Sequence, residues 1–174
     1  QTSFLEVRDS PMLKAPLQVS GLFRRPDATT LVREVQQPYQ ETSIISHGTV
    51  RVQRQGRRER LFQLDRAPEL ATLQDSFSAL MGGRLEQLQK DFALRANGTR
   101  QRWSLILTPR SADVGRRLRQ LVLHGRNGEL GCIQAVPVRG TPQQTLVGSL
   151  ADTALRERVT DPVRLKTLCE EGVS

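Results

Sequence analysis

The stretch Leu17-Gln18-Val19-Ser20-Gly21-Leu22-Phe23-Arg24 decides the fold class. Leu17, Val19, Gly21 and Phe23 alternate with Gln18, Ser20 and Arg24, and only Leu22 breaks the pattern. A period of two sends successive side chains to opposite faces, so the segment predicts a half-buried β-strand. Working outward, further strands are expected at 29–36, 40–46, 48–54 and 59–64, separated by turn signals at Pro38, His47-Gly48 and Gln55-Gly56. Downstream, Phe92, Leu94 and Ala96 alternate with Asp91, Ala93 and Arg95. Asn97-Gly98 then predicts a two-residue hairpin turn, because both residues tolerate positive φ. The return strand carries Trp103, Leu105 and Leu107 on one face, and a second hairpin runs from 117–124 through Asn127-Gly128 to 130–138. A last strand, 143–148, follows Gly140-Thr141-Pro142. Short strands joined by tight turns predict one antiparallel sheet, curled or closed.

One segment changes period. From Pro68 the apolar residues fall at Leu70, Leu73, Phe77, Leu80 and Met81, which share one face of a helix. Asp65 and Pro68 are start signals and Gly82-Gly83 a stop; a shorter helix follows at 84–90 with Leu85 and Leu88 on one stripe. At the other end, Asp161-Pro162 and Gly172 bracket a short helix carrying Leu165 and Leu168. A curved sheet encloses an interior, and the inward candidates are aliphatic, with few rings to fill it. Either the helical hairpin fills that space or a ligand does.

The 174 residues predict a single domain, 1–174, large enough for a real core. With 37% hydrophobic and 25% charged residues the chain is too apolar for disorder, and no apolar run reaches the length of a membrane-spanning helix. The net charge of +8 would suit a polyanion. However, the arginines are scattered, their densest patches (Arg57, Arg58, Arg60 and Arg116, Arg117, Arg119) are short, and aromatics do not alternate with them. A solvated arginine face is favoured over nucleic-acid binding. A start at Gln1 is what signal cleavage or trimming leaves, and it hints at an exported protein.

Residues for catalysis are scarce. His47 and His124 each sit beside a glycine at a predicted turn or strand end, with no carboxylate at helical spacing to orient them. No nucleophile elbow, phosphate-binding loop, dinucleotide fingerprint or paired-histidine metal motif occurs. Two cysteines without close metal-ligand spacing exclude a zinc site of the usual kind. No cofactor, no metal and no enzymatic activity are expected. In an exported protein, Cys132 and Cys169 favour a disulfide over two free thiols.

Phe4-x-Glu6, then Leu13-x-x-Pro16-Leu17-x-x-Ser20-Gly21, Arg25-Pro26, Gln37-Pro38 with Ile44, and His47-Gly48-x-Val50 resemble the opening of the LolA family of periplasmic lipoprotein carriers. The helices near 68–90, Leu105-x-Leu107-Thr108-Pro109 and the Asn127-Gly128 hairpin fall in the same order, so the resemblance runs from about residue 4 to 150. It implies a mainly β fold with some α, an unclosed antiparallel half-barrel covered by a helical lid at about 66–90, with 150–174 as an appendage. It also implies a periplasmic, monomeric carrier that binds lipoprotein or other lipid acyl chains and passes them from an inner-membrane donor to an outer-membrane acceptor. The lining it implies is Leu17, Val19, Phe23, Leu31, Ile44, Val50, Leu73, Phe77, Leu80, Met81, Leu88, Phe92, Leu94, Trp103, Leu105, Leu107, Leu121, Leu123 and Ile133. Parity along the first strand points Arg25 inward, and the resemblance makes it the latch of the lid; a turn at Pro26 pairing it with Asp27 is the alternative. A non-transporting module that senses or scaffolds envelope components would share the same fold.

Overall fold

The computed structural model describes residues 1–8, 12–63 and 85–171. Six strands come first: β1 (Thr2–Arg8), β2 (Leu17–Arg24), β3 (Thr30–Gln37), β4 (Glu41–Ser46), β5 (Thr49–Arg54) and β6 (Arg60–Gln63). After α1 (Leu85–Asp91) come β7 (Phe92–Thr99), β8 (Arg102–Pro109), the single turn α2 (Ala112–Gly115), β9 (Leu118–Arg126), β10 (Glu129–Pro137) and β11 (Gln143–Val147). The helices α3 (Gly148–Arg156) and α4 (Pro162–Glu171) complete the described chain. All eleven strands form one antiparallel sheet in the order β6-β5-β4-β3-β2-β1-β11-β10-β9-β8-β7. Two meanders are therefore stitched together where the first strand pairs with the last. The expected mainly β, unclosed sheet is what the chain forms.

The sheet curls, and one side chain demonstrates it. Four strand steps separate β3 from β10, about 19 Å on a flat sheet at about 4.8 Å per step. Ile133 of β10 nevertheless packs against Leu31, Ile45, Val50 and Val52 of β3, β4 and β5. It also packs against the β7–β9 cluster of Phe92, Leu107, Leu121 and Leu123, and against Phe4, Val19, Val35 and Val147 in the middle. Only a concave surface brings these three groups to one residue. β6 and β7 remain unpaired with each other, so the barrel stays open.

Turn chemistry matches expectation at two hairpins. His47-Gly48 and Asn127-Gly128 join strands directly, with φ of 48° and 73° in the first and 51° and 84° in the second. Two successive positive φ values give a turn whose twist suits the strands, and Asn and Gly tolerate them best. Asn97-Gly98 does not behave this way. Both residues lie within β7, Gly98 opposite Trp103, and the strands continue to Thr99 and Arg102. A turn at Asn97-Gly98 would place Leu94 opposite Gln101. The observed register instead sets Leu94 against Leu107 and Ala96 against Leu105. Cross-strand apolar pairing outweighs the local turn preference.

The convex face has its own core. Leu5, Cys132 and Leu146, of opposite parity to Phe4, Ile133 and Val147, pack against Ala151 and Ala154 of α3 and Leu165, Leu168 and Cys169 of α4. Asp161 caps α4 by accepting hydrogen bonds from the backbone N–H groups of Val163 (3.0 Å) and Arg164 (3.3 Å), with Pro162 opening the first turn. Cys132 and Cys169 are disulfide-bonded, with Cα atoms 5.2 Å apart. Closing a loop of 37 residues stabilises the fold by about 4 kcal/mol in the chain-entropy model. α3 escaped the sequence reading although Leu150, Ala151, Ala154 and Leu155 face one core, because Val147 before it supplies no capping side chain to mark its start.

His124 lies in this region, across from Cys132 on β10 and Ser104 on β8, beside a cavity of about 650 Å³ between the strand ends and α3 and α4. Burial holds its pKa below the usual 6.5; Arg102 pushes the same way, while Glu170 and a hydrogen bond with Gln134 oppose. Its Nε2 is buried and has no hydrogen-bond partner among the described residues. The unfolded imidazole therefore takes up a proton at a higher pH than the folded one. Stability is expected to fall as pH drops below about 6.5, and to level off once the folded ring also protonates. Urea denaturation across this range checks it: His124→Gln should remove that part of the pH dependence, and an unchanged profile would contradict it.

Candidate functional site

The concave face gathers the apolar clusters that do not involve helices α3 and α4. Alternation selects it strand by strand. Leu17, Val19 and Phe23 come from β2, Leu31 from β3, Val50 from β5, and Phe92 and Leu94 from β7. Trp103, Leu105 and Leu107 come from β8, Leu121 and Leu123 from β9, and Ile133 from β10, while Leu88 reaches the same face from α1. Val19 and Leu107 are fully buried, whereas Leu17, Phe23, Leu94, Trp103, Leu105 and Ile133 remain partly accessible. Leu73, Phe77, Leu80 and Met81 lie outside the described residues, as does the helix expected over 68–81.

Ile44 is the exception. It stands opposite Val32 and Arg51, while its neighbour Ile45 stands opposite Leu31 and Val50. The sequence pair Ile44-Ile45 carries no parity of its own. Register against Leu31 and Val50 sends Ile45 to the concave face and Ile44 to the other.

The sequence reading also passed over Phe4, Val35, Val52, Phe62, Leu118, Leu130 and Val147, which join the same clusters. Phe62 lies opposite Val50 and shared the parity signal of the 59–64 segment. Phe4 contacts Phe23, their ring centroids 4.8 Å apart. Trp103 packs closely on Gly125: a Cβ at that glycine would come within 2.1 Å of its ring. Gly125 is thus required by close approach, and a larger residue there would displace the indole from the face.

A polar group is set into this apolar surface. Arg33 donates to Glu6 at 3.1 Å, Thr145 donates to the other carboxylate oxygen at 3.2 Å, and Arg8 adds a third contact at 3.1 Å. The Arg33 guanidinium also lies 4.6 Å above the Phe4 ring. Glu6 and Arg33 keep only 17% and 18% of their side-chain exposure, so each depends on the other for solvation. Parity could have shown this, since Glu6 falls in step with Phe4 and Arg33 with Leu31 and Val35.

Arg25 follows directly on β2 and is half-buried. One guanidinium nitrogen reaches the Ala28 carbonyl at 3.4 Å, and the buried Nε has no partner among the described residues. The alternative pairing with Asp27 is not made. The Asp27 carboxylate instead accepts from the Thr29 backbone N–H (2.7 Å) and hydroxyl (2.8 Å), and these bonds lower its pKa to about 2.

The Glu6–Arg33 pair allows a direct test. Glu6→Leu is expected to destabilise the protein by about 1–2 kcal/mol, less than the 3–5 typical of fully buried pairs because water still reaches both groups. The double variant Glu6→Leu/Arg33→Leu should recover part of that loss in urea denaturation. A double variant no better than Glu6→Leu alone would contradict the pairing as the source.

Comparison with known proteins adds one match. No curated protein matches the chain. The family model described as outer membrane lipoprotein carrier protein LolA-like matches residues 1–172, which takes in the C-terminal helices as well as the sheet. An open antiparallel sheet with an apolar concave face, matched almost end to end by that model, makes the chain a member of the LolA-like outer membrane lipoprotein carrier family.

Proposed function

We propose that the protein is a periplasmic, monomeric carrier that holds acyl chains of lipoproteins or other lipids against the concave face and moves them toward the outer membrane. The observation that carries this reading is the continuity of that face. Apolar residues from all eleven strands contribute to the clusters that share Ile133; Phe4, Val19, Val35 and Val147 at the middle are buried, while Phe23, Leu94, Trp103, Leu105 and Ile133 stay partly accessible. The need for such a face is physical. Each methylene in water costs about 0.8 kcal/mol, so a chain of about 15 carbons needs about 12 kcal/mol of shelter to cross an aqueous compartment. Aliphatic side chains shelter without gripping, which suits a cargo that must be released. The carrier takes cargo from an inner-membrane donor and yields it to an outer-membrane acceptor, and no reaction is catalysed.

Arg25 is the residue we assign to latching the segment that precedes α1. Its buried Nε, without a partner among the described residues, is a donor that an acceptor would satisfy.

Protein purified without detergent is expected to yield acylated lipid or lipoprotein in the mass spectrum of its organic extract. After extraction it should take up an apolar fluorophore, and Arg25→Leu should release that probe faster than wild type. An empty extract, together with no uptake of the probe, would contradict the carrier reading.

A further inference from the structure

The patch Arg57, Arg58 and Arg60 is the densest basic run of the first half of the chain, and the sheet gives it a defined position. Arg60 stands opposite Val52 in the β5–β6 register, and Arg54 shares the parity of Val50 and Val52. Arg54 and Arg60 therefore lie on the concave side. With Val52, Gly56, Arg57 and Arg58 they line an open cavity of about 660 Å³. The apolar run of Leu31, Ile45, Val50 and Val52 thus ends in four guanidinium groups.

Among the described residues, these four charges are not neutralised. The hairpin 49–63 contains one carboxylate, Glu59. It is held by Arg51 (3.7 Å) and Gln53 (2.6 Å), both of the opposite parity to Val50 and Val52. Glu41 stands across from Arg54 in the register but makes no ion pair with it; the Arg54 guanidinium instead lies 4.0 Å over the Tyr39 ring. Among the described residues no carboxylate pairs with Arg54, Arg57, Arg58 or Arg60. Like charges gathered at one end of a trough raise the local potential, and an anion relieves it. Guanidinium forks match phosphate and carboxylate oxygens in a two-pronged geometry.

We propose that this arginine cradle binds the anionic headgroup, phosphate or carboxylate, of an amphiphile whose chain lies along the adjoining apolar trough. The inference rests on the carrier reading and narrows it to cargo with a negatively charged head. Surface arginines that merely hold water would show no such coupling between charge and chain.

Calorimetric titration with decyl phosphate, decanol and inorganic phosphate separates the possibilities, each with wild type and with Arg57→Gln/Arg58→Gln/Arg60→Gln. Near-UV circular dichroism verifies that the variant is folded. Wild type should bind decyl phosphate roughly tenfold or more tightly than decanol at low salt, a preference that shrinks as salt rises. The triple variant should bind both alike, with decanol affinity unchanged. Equal binding of the two amphiphiles by wild type would overturn the inference while leaving the carrier reading intact. Inorganic phosphate bound as tightly as decyl phosphate would overturn it in favour of a free-anion site. Arginine-dependent sedimentation with phosphatidylglycerol vesicles, without preference for monomeric decyl phosphate, would overturn it in favour of membrane docking. Failure to bind either amphiphile would overturn the inference and the carrier reading together.

Discussion

Ile133 touches apolar residues from both wings of an eleven-stranded sheet, and that contact exists only because the sheet curls. Twist alone supplies some curvature, since strands built from L-residues rotate against their neighbours. Burial of the concave face supplies the rest. Leu, Ile, Val and Phe side chains gain about 1.5–3 kcal/mol each on leaving water, and a flat sheet would leave them exposed. The pairing of β1 with β11 is the joint on which this depends. It places Phe4 beside Val147 on the concave side and Leu5 beside Leu146 on the convex side, so the N- and C-terminal strands feed both cores.

The two faces are finished differently. On the convex side α3 and α4 pack on Leu5, Cys132 and Leu146, the cap at Asp161 starts α4 cleanly, and the Cys132–Cys169 bond ties it down. That side forms a core, with the cavity of about 650 Å³ beside it between the strand ends and the two helices. On the concave side Phe23, Leu94, Trp103, Leu105 and Ile133 stay partly accessible, with Glu6 and Arg33 satisfying each other among them.

Much of this was legible in the sequence because period-two alternation is a strong signal when one face is buried and the other wet. Leu17-x-Val19-x-Gly21-x-Phe23 and Trp103-x-Leu105-x-Leu107 give both strand and face at once. Where neighbouring residues are both apolar the signal fails, as at Ile44-Ile45, and only the cross-strand partners decide. Asn97-Gly98 looked like a turn because local preference is readable from two residues, whereas the register that overrides it depends on Leu94 meeting Leu107. α3 follows β11 without a capping residue at its start, so its Leu150, Ala151, Ala154 and Leu155 face was not read as a helix. The arginine cradle could not be seen as a site, since only the register shows which of its charges lie beside Val52 and which carboxylate lies on the other face.

The central claim is that the concave face, and not the convex one, contacts the acyl chain. A photo-crosslinking residue placed at Ile133, and separately at Val32 on the opposite face, tests it most directly with a diacylated lipopeptide as cargo. The account predicts covalent adducts from position 133 and none above background from position 32. Equal labelling from both positions, or adducts from position 32 alone, would contradict it.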